Sequence, residues 1–223
     1  MGRIEAQSIR AWTRAVREAF PCTSQEESVE FVRGLPGAGS SPPKPEIAVE
    51  GHWFCLRSYR DTMTDERCLQ VFFGSPDSGE DYVGYDRLDP AWVDPDGRGT
   101  DSWELTRAYV KPKYRGRNYC PFLVELVLDL ARAGGARFVY AYPRHVAMLV
   151  TLLDYGFETV DGRIDGTLLR VREDGRRWYG LEPSQRRLYY AEELRPFVGE
   201  TSSFLMRRRV RGSRLWDALT RDI

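Results

Sequence analysis

The first part of the chain carries apolar residues at helical spacing. The recurring positions are Ile9, Trp12, Val16 and Phe20. Steps of three or four residues predict an amphipathic helix that ends before Pro21. Thr23 and Glu26 form a capping-box pattern, which predicts the start of a second helix. Residues 34–45 are rich in Gly, Pro and Ser and predict a linker. We therefore expect residues 1–45 to form an N-terminal helical extension.

From Glu46 the apolar pattern changes to a period of two. The segments that alternate in this way are 52–60, 68–73, 82–85 and 102–110. They are rich in β-branched and aromatic residues and are separated by turn-rich pieces such as SPDSGED, so they predict an antiparallel meander.

After residue 110 helical and strand patterns alternate. The predicted elements are a helix over 122–133 closed by Gly134 and Gly135, a strand over 136–142, a helix over 144–155 closed by Gly156, and strands over 157–160 and 167–172. This order predicts an α+β fold, with a main domain over residues 46–172. The pattern is less legible beyond it, and residues 173–223 are assigned to a C-terminal extension.

The charge balance excludes some classes of protein. The 223 residues include 33 Lys and Arg against 33 Asp and Glu, so the formal net charge is zero. A broadly basic nucleic-acid binder or a polybasic membrane protein would carry an excess of cations. The apolar stretches are shorter than the roughly 20 residues of a membrane span, and no secretory signal opens the sequence. Four scattered cysteines and two histidines fit reduced thiols in the cytoplasm better than a zinc site. We expect a cytoplasmic protein with no metal, no membrane partner and no nucleic-acid partner.

Residues 102–157 resemble the GNAT superfamily of N-acyltransferases. The positions that fit the pattern of that family are Val110, Pro112, Tyr114, Arg115, Gly116, Gly156 and Phe157. The resemblance implies a mixed, mostly antiparallel central sheet flanked by helices. It also implies acetyl-CoA or another acyl-CoA as co-substrate and an amine acceptor, either a small molecule or a protein.

The loop before the helix over 122–133 is the predicted cofactor site. A turn at the start of a helix presents unpaired N–H groups and the positive end of the helix dipole, which together bind a pyrophosphate such as that of coenzyme A. The predicted cofactor-binding residues are Tyr109, Val110, Arg115, Gly116, Arg117, Asn118, Tyr119 and Cys120. Backbone amides near Tyr109 and Val110 would polarise the thioester carbonyl. An ordinary strand-to-helix connection with solvated arginines is the alternative.

The loop departs from the family pattern at three positions. Asn118 and Cys120 stand where the family has small residues, mostly glycine. Asn118 tolerates a positive φ but adds a side chain near the phosphates. Pro121 suits the first turn of a helix but removes one N–H group. We therefore expect a weaker or shifted grip on the cofactor.

The catalytic acid of the family is also replaced. The family usually has Asn at the start of the second helix and Tyr four residues before the Gly-Phe pair, and here these positions are His145 and Leu152. Leu cannot donate a proton, but a thiolate with a parent pKa of about 8.5 is a tolerable leaving group. His145 and Tyr155 are candidate substitutes, with packing or capping roles as the alternative.

Glu104 is the candidate general base. Regular alternation places Glu104, Thr106, Ala108 and Val110 on one face of the strand and Trp103, Leu105 and Tyr109 on the other. Small neighbours would leave space for an acyl chain beside Glu104. Many GNAT enzymes have a glutamate here, and it can take the proton of an ammonium acceptor. A surface Glu paired with an arginine is the alternative.

Two other functions fit the sequence. Acyl-homoserine lactone synthases and N-acyl amino acid synthases have a similar fold and a sequence like residues 103–107, WELTR. They commonly use acyl-carrier protein, which would give the arginines at 207–214 a partner. The third function is a GNAT-like protein that binds CoA without catalysis. A homodimer fits the sequence as well as a monomer does.

Overall fold

The computed structural model describes residues 6–39, 43–49, 51–61, 67–92, 101–115, 117, 119–143, 146–160 and 205–210. The helices are α1 (Ala6–Ala19), α2 (Gln25–Gly34), α3 (Cys120–Ala133) and α4 (Val146–Asp154). The strands are β1 (Ile47–Val49), β2 (His52–Arg60), β3 (Arg67–Gly74), β4 (Gly84–Asp89), β5 (Ser102–Val110), β6 (Phe138–Ala141), β7 (Glu158–Thr159) and β8 (Met206–Arg209). The chain divides into two compact units. One is Met1–Val139 with Val210–Ile223, and the other is Tyr140–Arg209.

Strands β1 to β5 of the first unit form an antiparallel meander in chain order. Phe54 lies opposite Phe73, and Phe72 lies opposite Tyr85. In the second unit β7 pairs antiparallel with β8, with Glu158 opposite Arg207. The prediction of an α+β fold with a mostly antiparallel sheet is confirmed.

One face of the meander is covered by helices and holds the core of the first unit. We call it the helical face. Trp12 of α1 lies 5.2 Å from the ring of Phe54 and 5.4 Å from that of Phe122 on α3. Phe122 in turn stacks on Phe73 of β3 at 4.8 Å. Residues 123–131 of α3 are all buried. The apolar spacing of α1 thus matches the side on which it packs, whereas α3 is buried on all sides over these residues.

The two N-terminal helices share this core. Phe20, at the end of α1, is fully buried and lies 5.7 Å from the ring of Trp103 on β5. The Ser28 hydroxyl of α2 donates to the carbonyl of Gly134, which follows α3. The domain boundary at residue 46 stays a prediction, but the helices before it belong to the same compact unit as the meander.

The predicted cap of α2 is displaced by one residue. Ser24 is the N-cap, and its side chain accepts from the backbone N–H of Glu27. The Glu27 carboxylate accepts from both the N–H and the hydroxyl of Thr23. The prediction that paired Thr23 with Glu26 was wrong because two adjacent hydroxyl residues can each serve as an N-cap.

Several other boundaries differ from the prediction. Strand β4 covers Gly84–Asp89 instead of residues 82–85, and β1 and β8 were not predicted. Part of the predicted linker is paired, since Ser58 of β2 donates its N–H to Pro36 and accepts from Ala38. The predicted strand over 167–172 lies outside the described residues.

The described residues contain neither a membrane-spanning helix nor a metal-binding cluster. No helix among them is long and apolar enough to cross a membrane. Within the same ranges, no group of three or more His, Cys, Asp or Glu side chains is arranged to hold a metal ion.

We predict that Trp12→Ala destabilises the first unit strongly. The indole is 8% exposed and packs between the sheet and α3, so its removal leaves a cavity that should cost about 3–5 kcal/mol of unfolding free energy. Urea denaturation measures the change. Arg14→Ala, at an exposed position of the same helix, is the matched control and should change stability by less than about 0.5 kcal/mol. Equal stabilities of the two variants would show that α1 is not part of the core.

Candidate active site

The turn after β5 is anchored to the loop before β4 through one carboxylate. Asp81 accepts from Lys111 Nζ at 2.6 Å and from the Tyr114 hydroxyl at 3.2 Å, and it forms a salt bridge with Lys113 at 2.7 Å. The hydrogen bonds from Lys111 and then Lys113 lower the pKa of Asp81 to about 2. The N–H of Lys111 also donates to the Val83 carbonyl. The sequence indicated only a loop at Asp81. The structure shows that it fixes the turn that leads to α3.

Gly84 allows the end of β5 to come close to β4. It lies opposite Val110, and a Cβ at Gly84 would stand 2.2 Å from the carbonyl oxygen of Tyr109. Any larger residue would push the two strands apart at this point. The predicted oxyanion-binding residues Tyr109 and Val110 therefore lie on backbone whose position depends on glycine.

Helix α3 begins without a side-chain cap. Its N-cap residue is Tyr119, whose side chain makes no capping hydrogen bond, and Pro121 occupies the first turn. The Tyr119 hydroxyl is instead within 2.9 Å of Ser75 Oγ. The first N–H groups of an α-helix have no partner within the helix. The start of α3 therefore presents donors and the positive end of its dipole, as an anion site requires.

Two arginines of the predicted phosphate loop are exposed. The Arg115 Nε donates to the Val110 carbonyl, and its guanidinium lies 5.9 Å from the Tyr109 ring. The Arg117 guanidinium lies 5.7 Å from the Tyr114 ring. The salt bridges found among the described residues include neither arginine. Gly116 and Asn118 lie outside the described residues, so their predicted roles stay predictions.

A buried carboxyl group lies near the start of α3. Asp86 of β4 is 1% exposed, and neither of its carboxylate oxygens has a hydrogen-bond partner in the described part of the chain. Burial raises its pKa well above the usual range. The sequence analysis missed this residue because the predicted strand ended at Tyr85. An acidic residue one position beyond an apolar strand was the available signal.

Cys120, the first residue of α3, is not a reactive thiol. Burial and, to a smaller extent, the charge of Asp86 raise its pKa to about 11, and the charge of Arg115 opposes both effects. The thiol is therefore protonated at neutral pH and a poor nucleophile. This fits the expectation that Cys120 serves as a small residue at the start of the helix.

Strand β5 contains a bulge that changes which residues share a face. Arg87 pairs with Arg107, but the next residue, Leu88, pairs with Leu105. Thr106 is the extra residue, and its hydroxyl donates to the Arg87 carbonyl at 3.3 Å. An extra residue shifts the alternation of side chains by one position.

The bulge moves Glu104 away from its predicted neighbours. Leu105 shares the helical face with Ala108, whereas Glu104 lies on the opposite face with Arg107 and Tyr109. The prediction that Glu104 lies beside Ala108 and Val110 was therefore wrong. The half-buried Glu104 lies opposite Asp89, and the next residue along its face of β5 is Arg107.

The face that carries Glu104 is rich in arginine and tyrosine. We call it the arginine–tyrosine face, defined by Tyr59, Tyr85, Arg87, Arg107 and Tyr109. The Arg87 guanidinium stacks 3.3 Å from the Tyr59 ring centroid, and the rings of Tyr85 and Tyr109 lie 5.2 Å apart. The Arg87 Nε donates to the Gln70 side chain at 3.0 Å. These contacts hold the Arg87 guanidinium beside the tyrosines.

The remaining candidates belong to the second unit. Leu152 of α4 is fully buried, which is typical of a packing residue. Tyr155 is half-buried just after α4, and its N–H donates to the carbonyls of Thr151 and Leu152. Gly156, with φ 74°, lets Phe157 donate back to Leu152. His145 lies outside the described residues. Catalytic roles for His145 and Tyr155 stay predictions.

An anchored strand end, a helix without a side-chain cap at its N-terminus and exposed arginines are features that anion-binding sites in proteins share. Residues 40–149 match the family model described as the acetyltransferase (GNAT) family. This part of the chain, which includes β1 to β5 and α3, therefore belongs to the GNAT family.

Solved structures give weaker similarities. The GNAT family N-acetyltransferase YhbS of Escherichia coli, in complex with CoA, is 17% identical over 96% of this chain and 81% of its own, with a TM-score of 0.39. The N-acetylglutamate synthase of Neisseria gonorrhoeae, complexed with coenzyme A and N-acetyl-glutamate, is 16% identical over 64% of this chain, with a TM-score of 0.36. The GNAT domain of PAT from S. lividans is 21% identical over 44% of this chain, with a TM-score of 0.35.

These similarities are too low to carry an argument about substrate or residues. The match spans only 26% of the gonococcal chain and 56% of the S. lividans chain. Among curated proteins no sequence matches.

We predict that Asp86 makes stability fall as pH rises. Its pKa is higher in the folded than in the unfolded chain, so the folded state binds more protons above pH of about 3.9 and loses stability toward neutral pH. Asp86→Asn removes this titration. The variant should therefore gain stability relative to the wild type as the pH rises from 4 to 8, which appears as a growing difference in Tm.

Thermal unfolding from pH 4 to pH 8 measures the effect, and Asp81→Asn is the matched control. The pKa of Asp81 is lowered to about 2, so its ion pairs stabilise the fold above pH of about 4 and are lost below it. Asp81→Asn should therefore be less stable than the wild type at pH 8. Parallel curves for Asp86→Asn and the wild type would show that Asp86 does not titrate abnormally.

Proposed function

We propose that this chain is an N-acyltransferase that moves an acyl group, an acetyl group in the simplest case, from acyl-CoA to an amine. The observation that carries the proposal is the start of α3. An uncapped helix N-terminus follows a turn anchored at Asp81, inside the segment that matches the GNAT family. Arg115 and Arg117 add two positive charges beside it.

The residues around the turn suit the parts of coenzyme A. The pyrophosphate would lie at the start of α3, where backbone donors and the helix dipole favour negative charge. Arg115 and Arg117 would pair with the phosphates from the exposed side. Backbone amides near Tyr109 and Val110 would polarise the thioester carbonyl and stabilise the oxyanion.

Glu104 would act as the general base. The amine nitrogen attacks the thioester carbonyl carbon, the new C–N bond forms, and the C–S bond breaks to release the CoA thiolate. The proton lost by the nitrogen passes to Glu104 directly or through a water, and the thiolate takes up a proton from solvent or from a general acid. Leu152 cannot supply that proton, and His145 and Tyr155 are the candidates that the sequence offers.

The cofactor assignment predicts that Arg115→Gln combined with Arg117→Gln weakens acetyl-CoA binding about tenfold or more, because charge-assisted contacts to the phosphates are lost. Isothermal titration calorimetry at low and high salt measures the affinity, and the wild type should be the more salt-sensitive protein. Arg33→Gln removes an exposed arginine from α2 and should bind like the wild type. If the wild type binds neither acetyl-CoA nor longer acyl-CoAs, the cofactor assignment is wrong.

The mechanism predicts that Glu104→Gln lowers kcat roughly 10²- to 10⁴-fold, as expected for the loss of a general base. The affinity for acetyl-CoA should stay unchanged. Release of the CoA thiol in the presence of an amine panel measures turnover. Glu30→Gln, an exposed position on α2, is the control.

Two results would contradict this mechanism. A Glu104→Gln variant with full activity would remove Glu104 from catalysis. Acetyl-CoA binding without turnover on any amine would instead support a protein that binds CoA without transferring its acyl group.

A further inference from the structure

A carboxyl group without a hydrogen-bond partner lies in the core of the first unit. Asp86 of β4 is buried, and within the described part of the chain neither of its carboxylate oxygens accepts a hydrogen bond. Its strand neighbours on the helical face are Val71 of β3 and Ala108 of β5, whose side chains offer neither a hydrogen bond nor a charge. Native proteins bury few polar side chains without a partner, so each one needs an explanation.

Asp86 lies close to the start of α3. Its charge acts on the thiol of Cys120, the first residue of that helix. The first N–H groups of α3 and the positive end of its dipole favour a negative charge at this position. The exposed Arg115 and Arg117 lie on the outer side of the same helix end. The start of α3 therefore acts on two anions, the carboxylate of Asp86 in the core and any phosphate group that approaches from solvent.

The charge of an ionised Asp86 is not neutralised by the ion pairs of the described residues, since none of those salt bridges includes it. The titratable groups on the elements around it include Cys120, Glu125 and Asp129 of α3, Tyr119 at the N-cap, Arg115 of the preceding turn and His52 of β2, which stacks on Phe122 of α3. The Arg115 Nε donates to the Val110 carbonyl. An ionised Asp86 therefore adds a net negative charge beside the start of α3.

Two negative charges at one helix end oppose each other. Burial lowers the effective dielectric constant around Asp86, so its charge acts more strongly than a charge at the surface. For two unit charges about 10 Å apart at an effective dielectric constant of about 20, the repulsion corresponds to roughly a tenfold change in an equilibrium constant. Protonation of Asp86 removes this repulsion.

We infer that binding of a pyrophosphate group at the start of α3 is coupled to protonation of Asp86, so that the neutral acid allows tight binding and the ionised carboxylate weakens it. The inference rests on the proposed function, in which this helix end holds the pyrophosphate of coenzyme A, and it adds a pH-sensitive control of that site. Burial raises the pKa of Asp86 well above its usual range, and bound phosphates raise it further. Affinity should therefore be highest at acidic pH and should fall as the pH rises through the pKa of Asp86.

The test measures the affinity for coenzyme A from pH 5 to pH 9 by isothermal titration calorimetry, in the wild type and in Asp86→Asn. The variant carries no charge at this position at any pH, so titration of the ligand and of other residues affects both proteins alike. The two proteins should bind about equally well at the acidic end of the range. At the alkaline end the wild type should bind roughly tenfold more weakly than the variant. Inorganic pyrophosphate, as a second probe, should show the same difference.

Asp77→Asn is the matched control. It removes an exposed carboxylate from the short 3₁₀ helix Pro76–Ser78, next to Ser75, whose hydroxyl contacts the Tyr119 hydroxyl at the N-cap of α3. Water screens this charge, so the affinity of the control relative to the wild type should be the same at every pH. Asp86→Ala is a second uncharged variant and should show the same pH profile as Asp86→Asn. Circular dichroism shows whether each variant is folded.

The outcomes separate the inference from the proposed function. If coenzyme A binds but the ratio of wild-type to variant affinity does not change with pH, the inference is overturned and the cofactor assignment stands. If pyrophosphate binds with the expected pH dependence while coenzyme A and acyl-CoAs do not bind, the coupling is supported and the function is contradicted. If neither ligand binds at any pH, both proposals are wrong.

Discussion

The pairing of β4 with β5 determines which chemistry each side of the sheet carries. Side chains alternate along a strand, so one extra residue reverses every later position. Thr106 is that residue. Trp103 and Leu105 stay buried under the helices, while Arg107 and Tyr109 lie on the opposite face with Glu104. A regular strand could satisfy only one of these arrangements, because burying Leu105 would also place Arg107 against the helices. The bulge thus allows a single nine-residue strand to contribute apolar side chains to the core and polar side chains to the opposite face.

The pKa values of two carboxylates near the proposed cofactor loop are shifted in opposite directions by their surroundings. Asp81 lies at the surface with two lysines and a tyrosine hydroxyl, and its charge is stabilised. Asp86 lies within the core of the first unit, and its charged form is disfavoured by burial. A buried polar group without a partner costs roughly 1–3 kcal/mol, and such groups are rare away from functional sites. Asp86 interacts electrostatically with Cys120. This unfavourably buried carboxyl group therefore lies next to the start of α3, which is the part of the chain proposed to bind phosphates.

The sequence predicted the elements whose side chains pack at regular spacing. The apolar periods of α1, α3, β2 and β5 were sufficient, because burial of one face requires them. Features that depend on a partner strand were missed. The second half of β4 was not predicted because it contains the charged residues Asp86, Arg87 and Asp89, which interrupt the apolar pattern. Strand β8 was not predicted because its arginines resemble a solvated cluster. The bulge at Thr106 left no local signal, since threonine is a good strand residue and only the register against β4 reveals the shift. The face on which the candidate base Glu104 lies could therefore not be predicted from the sequence.

The difference in pKa between an alkylammonium and a glutamic acid limits what Glu104 can do in the proposed reaction. An alkylammonium has a pKa of about 10.4 and a glutamic acid about 4.3, so a proton transfer between them before attack is unfavourable by about six units, or roughly 8 kcal/mol. The ammonium therefore loses its first proton to solvent, and the free amine attacks. The pKa of the nitrogen falls sharply once it bonds to the carbonyl carbon, and transfer of its second proton to Glu104 then becomes favourable. Glu104 is best placed to act during that step, close to the developing positive charge. Positioning of the nitrogen beside Glu104 while the bond forms would then contribute more to the rate than the basicity of the carboxylate.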